Sequence, residues 1–443
     1  MSHKPTTHLK GDRGQAFTDR IRNIPPERLL CVSLDIGKYF HVVMIHNALG
    51  EIVTPTFEID MFQSGFSALC AAIDEAGARC HAKLVLTGLE PTGHYFENLA
   101  RHLRARPQPV TLINSYAVKQ NRSQQMMRRE KTDEIDVAAV GDLLRRGEGT
   151  AYHPASGPYL QLQQLDRTRI AKLKMQTMLK NQIIGHLDRI FPGLVLQGEE
   201  ALDRYTPLFA TSFWQCQTLQ HLVRLCPDPC RLVTLSPSEL VALFHDHHYR
   251  LGRQNAAKII TYAQKTLLPD PELSTIRSDL LQADLTLLEH LQLQIDHLEQ
   301  RLGELLAPLP AAAWAKLKGL SAVQAASLAA AMGDPAHYTY AAQIFRRAGL
   351  VSGRNDSGNR QRKGKGQGVL KVGDVYLRRA LMTATETLIL HQPVLHAYYT
   401  TLKKTKHPGV ARVATARRAM GILWATLRDQ RSTLLIFKKG ETM

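Results

Sequence analysis

Leu30-Cys31-Val32-Ser33-Leu34-Asp35 is a short apolar run that closes on a carboxylate, and its reading decides the fold. A continuous run of this length reads as a buried strand. A carboxylate at the end of such a strand is costly unless it is paired or binds a cation. Working outward, Phe40 to His46 and Ile52 to Glu58 read as two more strands joined by the turn Asn47-Ala48-Leu49-Gly50, which makes a three-strand meander. A helix is expected from about Phe62 to Ala76, a strand over Lys83 to Glu90, a helix from about Tyr95 to Leu103, a strand over Val110 to Ile113, and a helix beginning near Asp133.

The fourth strand in this order, Leu84-Val85-Leu86-Thr87-Gly88-Leu89-Glu90, again closes on an acid. Asp133 and Asp136 are three apart in Lys131-Thr132-Asp133-Glu134-Ile135-Asp136, a spacing that puts both on one face of a helix start. Three antiparallel strands followed by alternating helices and strands resemble the order of a ribonuclease-H-like fold. Its first acid lies on strand one, its second on strand four and its last on a late helix. Four acids meeting at one spot call for hard divalent ions with oxygen ligands, such as Mg²⁺. Two such ions can clamp a phosphodiester during displacement.

The 443 residues carry 56 Lys and Arg against 39 Asp and Glu, a formal net charge of +17. A positive field of this size suits a nucleic-acid phosphate backbone. No run approaches the roughly 18 apolar residues of a membrane span, the N-terminus lacks an apolar signal core, and six cysteines do not build a disulfide framework. A reducing, cytoplasmic compartment fits all of this, and the expectation is a bacterial, nucleoid-associated protein. Cys226 and Cys230 have no matching second pair, and His245-Asp246-His247-His248 reads as a solvated loop rather than a metal site.

The expected class is α/β plus α. Residues 1–28 read as a flexible basic extension, 29–155 as the acid-bearing domain, 156–309 as a helical linker with an irregular insertion at about 192–270, 310–425 as a mostly helical domain, and 426–443 as a tail. Two long helices, about 158–191 and Ser274 to Leu306, are read as an antiparallel hairpin that also dimerises. Leu281, Leu285, Leu288, Leu291, Ile295, Leu298, Leu302 and Leu305 have coiled-coil spacing. Leu317-Lys318-Gly319-Leu320-Ser321 suggests a degenerate helix-hairpin-helix turn with a phosphate-holding helix start.

From Arg346 to Arg379 the chain is basic and glycine-rich. Arg346, Arg347, Arg354, Arg360, Arg362, Lys363, Lys365, Lys371, Arg378 and Arg379 face only Asp356 and Asp374, and all ten are candidate nucleic-acid contacts. Ser357 lies there in Asn355-Asp356-Ser357-Gly358. Nearby cations would stabilise a serine alkoxide and a pentacovalent phosphorus, although serine is also common filler in such loops.

These pieces resemble the DEDD transposases of the insertion-sequence group that includes the Piv DNA invertase, described as bridge-RNA-guided recombinases. The matching segments are Leu34-Asp35-Ile36-Gly37-Lys38, Glu90-Pro91-Thr92-Gly93-His94-Tyr95, Lys131 to Asp136, Phe345-Arg346-Arg347-Ala348-Gly349-Leu350, Asp356-Ser357-Gly358 and Leu377-Arg378-Arg379-Ala380-Leu381. The resemblance implies a RuvC-like N-terminal domain, a coiled-coil linker and a C-terminal transposase domain. It implies that Asp35, Glu90, Asp133 and Asp136 bind Mg²⁺, and that Ser357 becomes joined to DNA, with Ser352 as the fallback. It further implies a composite site between protomers of a homodimer or homotetramer. A structured noncoding bridge RNA would pair with donor and target DNA. Two rival readings are a RuvC-like structure-specific nuclease that uses water, and a non-catalytic architectural protein that binds nucleic acid.

Overall fold

In the computed structural model the described residues are 8, 10–106, 109–124, 132–152, 157–196, 199–351 and 373–428. The chain divides into two compact units, Met1–Pro154 and Ala155–Met443. The first unit contains strands β1 (Leu29–Ile36), β2 (Phe40–Asn47), β3 (Ile52–Asp60), β4 (Leu84–Leu89), β5 (Val110–Leu112) and β6 (Thr150–Ala151). Its helices are α1 (Gly11–Ile21), α2 (Gln63–Arg79), α3 (Phe96–Leu103), α4 (Ser115–Gln124) and α5 (Asp133–Arg145). Among the described residues the strands form one mixed sheet, ordered β3-β2-β1-β4-β5-β6. β1 is central, antiparallel to β2 and parallel to β4. Apart from Asp35 every residue of β1 is buried, which is why its sequence is a continuous apolar run instead of an alternating one. Leu30, Val32, Leu34 and Ile36 meet a core shared with α2 and α3. Leu29 and Cys31 face the other way, toward residues of α4 and α5. This α/β unit fits a ribonuclease-H-like domain.

Within residues 1–28, read as a flexible extension, the described part from residue 10 onward is folded. Residues 11–21 are α1, and Phe17, Ile21 and Ile24 pack on the Leu29 side of the sheet. The Lys10 ammonium donates to Arg146 O at 2.6 Å and lies 2.8 Å from Glu148 Oε1. A sparse apolar stripe among many charges does not stand out in the sequence, yet three such side chains suffice to dock one short helix.

α5 lies against β1 and β2 through a glycine. A Cβ at Gly141 would meet the His46 ring and would lie 2.6 Å from Ser33 Oγ. Gly141→Ala should therefore push α5 off the sheet and lower stability by about 1–3 kcal/mol, measured by urea unfolding. A shift below a few tenths of a kcal/mol would show that the helix is not seated on this contact.

The second unit is helical in its described residues. α6 (Gly157–Ile190) and a later helix, Pro271–Leu306, run antiparallel. Arg169 donates to Glu299 at 2.7 Å, Lys172 to Gln294 at 2.6 Å and Gln176 to Gln292 at 2.5 Å, while His186 lies 3.5 Å from Asp284. Residue numbers rise on one helix as they fall on the other. Between them the stretch 192–270, read as irregular, is a folded module: α7 (Glu199–Arg204), α8 (Gln217–Leu225), α9 (Pro229–Leu232), α10 (Pro237–Asp246) and α11 (Arg253–Lys265), with Pro271–Leu306 following as α12. Its core includes Phe191, Phe213, Leu222, Phe244 and Ile259. The scattered polar residues and prolines that hide its periodicity are cap chemistry. Asp228 accepts from the Cys230 N–H at 2.9 Å, and Ser236 and Glu239 form a reciprocal capping box at the start of α10.

At the other end of the hairpin, α13 (Ala322–Met332), α14 (Ala341–Arg347), α15 (Val375–His391), α16 (Pro393–Lys403) and α17 (Pro408–Arg428) complete the unit. They pack around Trp314, whose Nε1 donates to Leu423 O at 3.2 Å and Thr426 Oγ1 at 3.1 Å. The turn before α13 is tightly packed on one side: Gly319 has φ +92, and a Cβ there would lie 2.7 Å from His391 Cβ and 2.8 Å from Thr387 O. Glycine lets this turn close against α15. Among the described residues no helix is long and apolar enough to cross a membrane.

Candidate active site

Asp35 is the penultimate residue of β1, and Glu90 follows β4 directly. The parallel register pairs Leu34 with Leu89, and the Glu90 N–H donates to Leu34 O at 3.3 Å. Asp35 and Glu90 are thus the next residues on neighbouring strands, whose backbones lie about 4.8 Å apart. Strand alternation carries Cys31, Ser33 and Asp35 to one face and Leu86, Gly88 and Glu90 to the same face. That face is the one α5 covers: Ser33 lies under Gly141, and a Cβ at Gly88 would be 2.9 Å from the Leu144 side chain. Both acids are half-buried. Two carboxylates on neighbouring strands at one end of a sheet are a pair that a shared cation would stabilise.

The first turn of α5 supplies the other two acids. Thr132 caps the helix, accepting from the Ile135 N–H at 3.3 Å. Asp133 and Glu134 are exposed, as carboxylates that merely complement a helix dipole would be. Asp136 is different: only 6 % of it is exposed, and it is ion-paired with Arg122 of α4. A buried carboxylate of this kind needs a fixed positive partner, and Arg122 is one. Among the described residues no group of three or more His, Cys, Asp or Glu gathers as a closed metal cluster. The structure therefore pairs Asp35 with Glu90 and sets Asp133 and Asp136 on one turn of the helix covering that face. It does not bring all four onto a single point. The donors are all carboxylates, the oxygen set that suits a hard divalent cation.

Sequence reading missed two residues around this site. Arg122 lies in a polar stretch with no periodic signal. His46 could have been found from the inward positions of β2. It is buried beneath Gly141, with Nδ1 2.8 Å from Asn47 O and Nε2 3.4 Å from Ser33 Oγ. Burial holds its pKa below the ordinary imidazole range.

Ser357 lies outside the described residues, as do Ser352, Arg354, Arg360, Arg362, Lys363, Lys365 and Lys371. The described flanks of that stretch are pinned together. The Asp374 N–H donates to Arg347 O at 2.6 Å, and a Cβ at Gly373 would meet Gly349 N at 2.8 Å. Arg347 is committed to the fold: its guanidinium donates to Met332 O at 2.9 Å, to Asp374 Oδ2 at 3.0 Å and to the Tyr338 hydroxyl. Arg378 donates to Ala348 O at 3.1 Å. Arg346 and Arg379 are exposed.

A family model described as Transposase, for the DEDD transposases of IS110, matches residues 32–192, and a second, described as Transposase IS116/IS110/IS902 family, matches residues 312–400. The chain belongs to the IS110 family of DEDD transposases. No curated protein matches the chain. The first match spans β1 to the end of α6 and includes all four acids; the second includes Ser357. The transposase is therefore an enzyme that cleaves and rejoins DNA, and its DEDD domain implies dependence on a divalent metal.

Proposed function

We propose that this transposase is a site-specific recombinase that moves its own insertion sequence, with Asp35, Glu90, Asp133 and Asp136 holding Mg²⁺ and Ser357 as the nucleophile. The observation that carries the reading is the in-register pair Asp35 and Glu90 on the sheet face covered by the acidic first turn of α5. Bound Mg²⁺ would supply positive charge to the phosphate oxygens as charge builds on them. The four carboxylates fix where that charge is held. In the protein's own step the Ser357 Oγ–P bond forms and one P–O bond to deoxyribose breaks. The serine proton ends on the departing sugar oxygen. Rejoining runs the same exchange backwards with a sugar hydroxyl of another strand, so no external energy source is required.

A bridge RNA selects donor and target in this reading. Its support is the family resemblance, together with a charge of +17 spread widely over the chain, which suits backbone contacts that position without reading bases. Protein purified from its native host should carry RNA transcribed from the element's flank, and nuclease treatment should abolish site choice. Nuclease-treated protein that still recombines one specific site would show direct reading of DNA.

The transposase works as a dimer or tetramer in the same proposal. Leu291 and Ile295, part of the stripe read as a dimer seam, are buried within this chain. A second stripe on α12 is exposed: Leu273, Ile276, Leu280 and Leu287, at successive spacings of three, four and seven. Leu280→Glu with Leu287→Glu should dissociate the assembly with little change in folding, and with it activity if the site is composite. A fully active monomer by light scattering would defeat this.

A further inference from the structure

A cavity of about 490 Å³ opens in the first unit, bounded by the end of β1, the start of β2, the loop after β4, and α2 and α3; Lys38, His41, Phe62, Phe66, Tyr95 and Asn98 are among its walls. Ile36 pairs with His41 and belongs to the core beneath α2 and α3, so the cavity lies on the face opposite α5 but at the same end of the sheet as the acids. We propose that this cavity seats one unstacked base of the DNA strand being cut. The proposal rests on the reading of Asp35 and Glu90 as the cutting site.

Three observations carry it. First, the rim is tied to the acids by short pieces of chain. Lys38 is three residues beyond Asp35, and Tyr95 is five beyond Glu90, so each lies within roughly 10–18 Å of its acid at full extension. That is the reach of a few nucleotides. Second, the rim carries an open aromatic ring. Phe62 is 63 % exposed, and an apolar ring left in water beside Phe66 and Tyr95 offers a face to a base. Third, His41 is among the walls, an imidazole whose polar edge suits the donors and acceptors on the edge of a base. Burial lowers the pKa of His41, which disfavours a charge there that would draw a phosphate in place of a base. The carboxylate in the wall, Asp60, is turned to the start of α2. It accepts from the Phe62 N–H at 2.9 Å and the Gly65 N–H at 3.0 Å.

The DNA strand is the favoured occupant because it is the one that must lie at the acids. The test uses full-length Asp35→Asn protein, which leaves the strand intact, and a short thymidine oligonucleotide with a single 2-aminopurine at its centre. Stacking in the cavity should quench the fluorophore. Phe62→Ser, at an exposed position that does not threaten folding, and His41→Phe, which keeps the ring but removes its nitrogens, should each weaken that quenched complex on the order of ten-fold. An oligonucleotide of the same length made of abasic sites throughout should bind all three proteins alike. Quenching unchanged by both substitutions would overturn the proposal, as would an abasic probe that loses affinity in parallel. A loss confined to a uridine oligonucleotide with the 2-aminopurine ribonucleoside would overturn the assignment to DNA. Failure of the underlying reading is separate: it would show as wild-type DNA cutting that survives Asp35→Asn.

Discussion

Asp35→Asn is expected to slow DNA strand cutting by on the order of 10³-fold, the loss of several kcal/mol of transition-state stabilisation, while the protein folds as before. The substitution keeps the volume of the side chain and removes its charge. Asp35 stands next to Glu90 in the register of two parallel strands, and the isosteric change leaves that register in place. What it removes is half of the carboxylate pair that would hold a cation on that face. Excess chelator should reproduce the loss in the wild type. Single-turnover cutting rates, with urea unfolding run alongside, check both halves. Full activity in chelator would sink the metal reading, and a matching drop in stability would reduce the effect to folding.

Ser357→Ala is expected to abolish recombination by about 10³-fold or more, because it removes the attacking atom of the proposed exchange. Ser352→Ala is expected to change little. The two serines lie in one basic, glycine-rich stretch, and the second family match includes both. Strand exchange measured with each variant separates them. If cutting by water continues unabated in Ser357→Ala, the protein is a hydrolytic nuclease in which this serine has no chemical part.

Much of the first unit was legible because its signals are local. An apolar run buried on both faces, such as Leu30 to Leu34, leaves few alternatives to a central strand, and an acid closing it stands out against that background. The two long helices were equally plain, since a leucine stripe repeated over many turns admits little else. The module at 192–270 was illegible for the opposite reason. Its helices are short, and much of their definition comes from caps such as Ser236 with Glu239, which in sequence look like loop residues. α1 was hidden by the charges around Phe17 and Ile21. The four candidate acids could be proposed from their positions in the sequence. Arg122, which pairs with Asp136 across two helices, could not, because tertiary packing alone brings them together. The inward-facing leucines of α12 were recognised as a seam, but periodicity does not say whether a seam closes on the same chain. Leu291 and Ile295 close within it.

The most direct test of the account is to stall the reaction on a nicked or mismatched DNA, digest the protein, and identify by mass spectrometry the residue that carries the nucleotide. The account predicts a phosphodiester on the Ser357 side chain, formed only with divalent metal and absent in Asp35→Asn. A nucleotide on any other residue, or complete strand cutting with no protein-linked nucleotide at all, would contradict it.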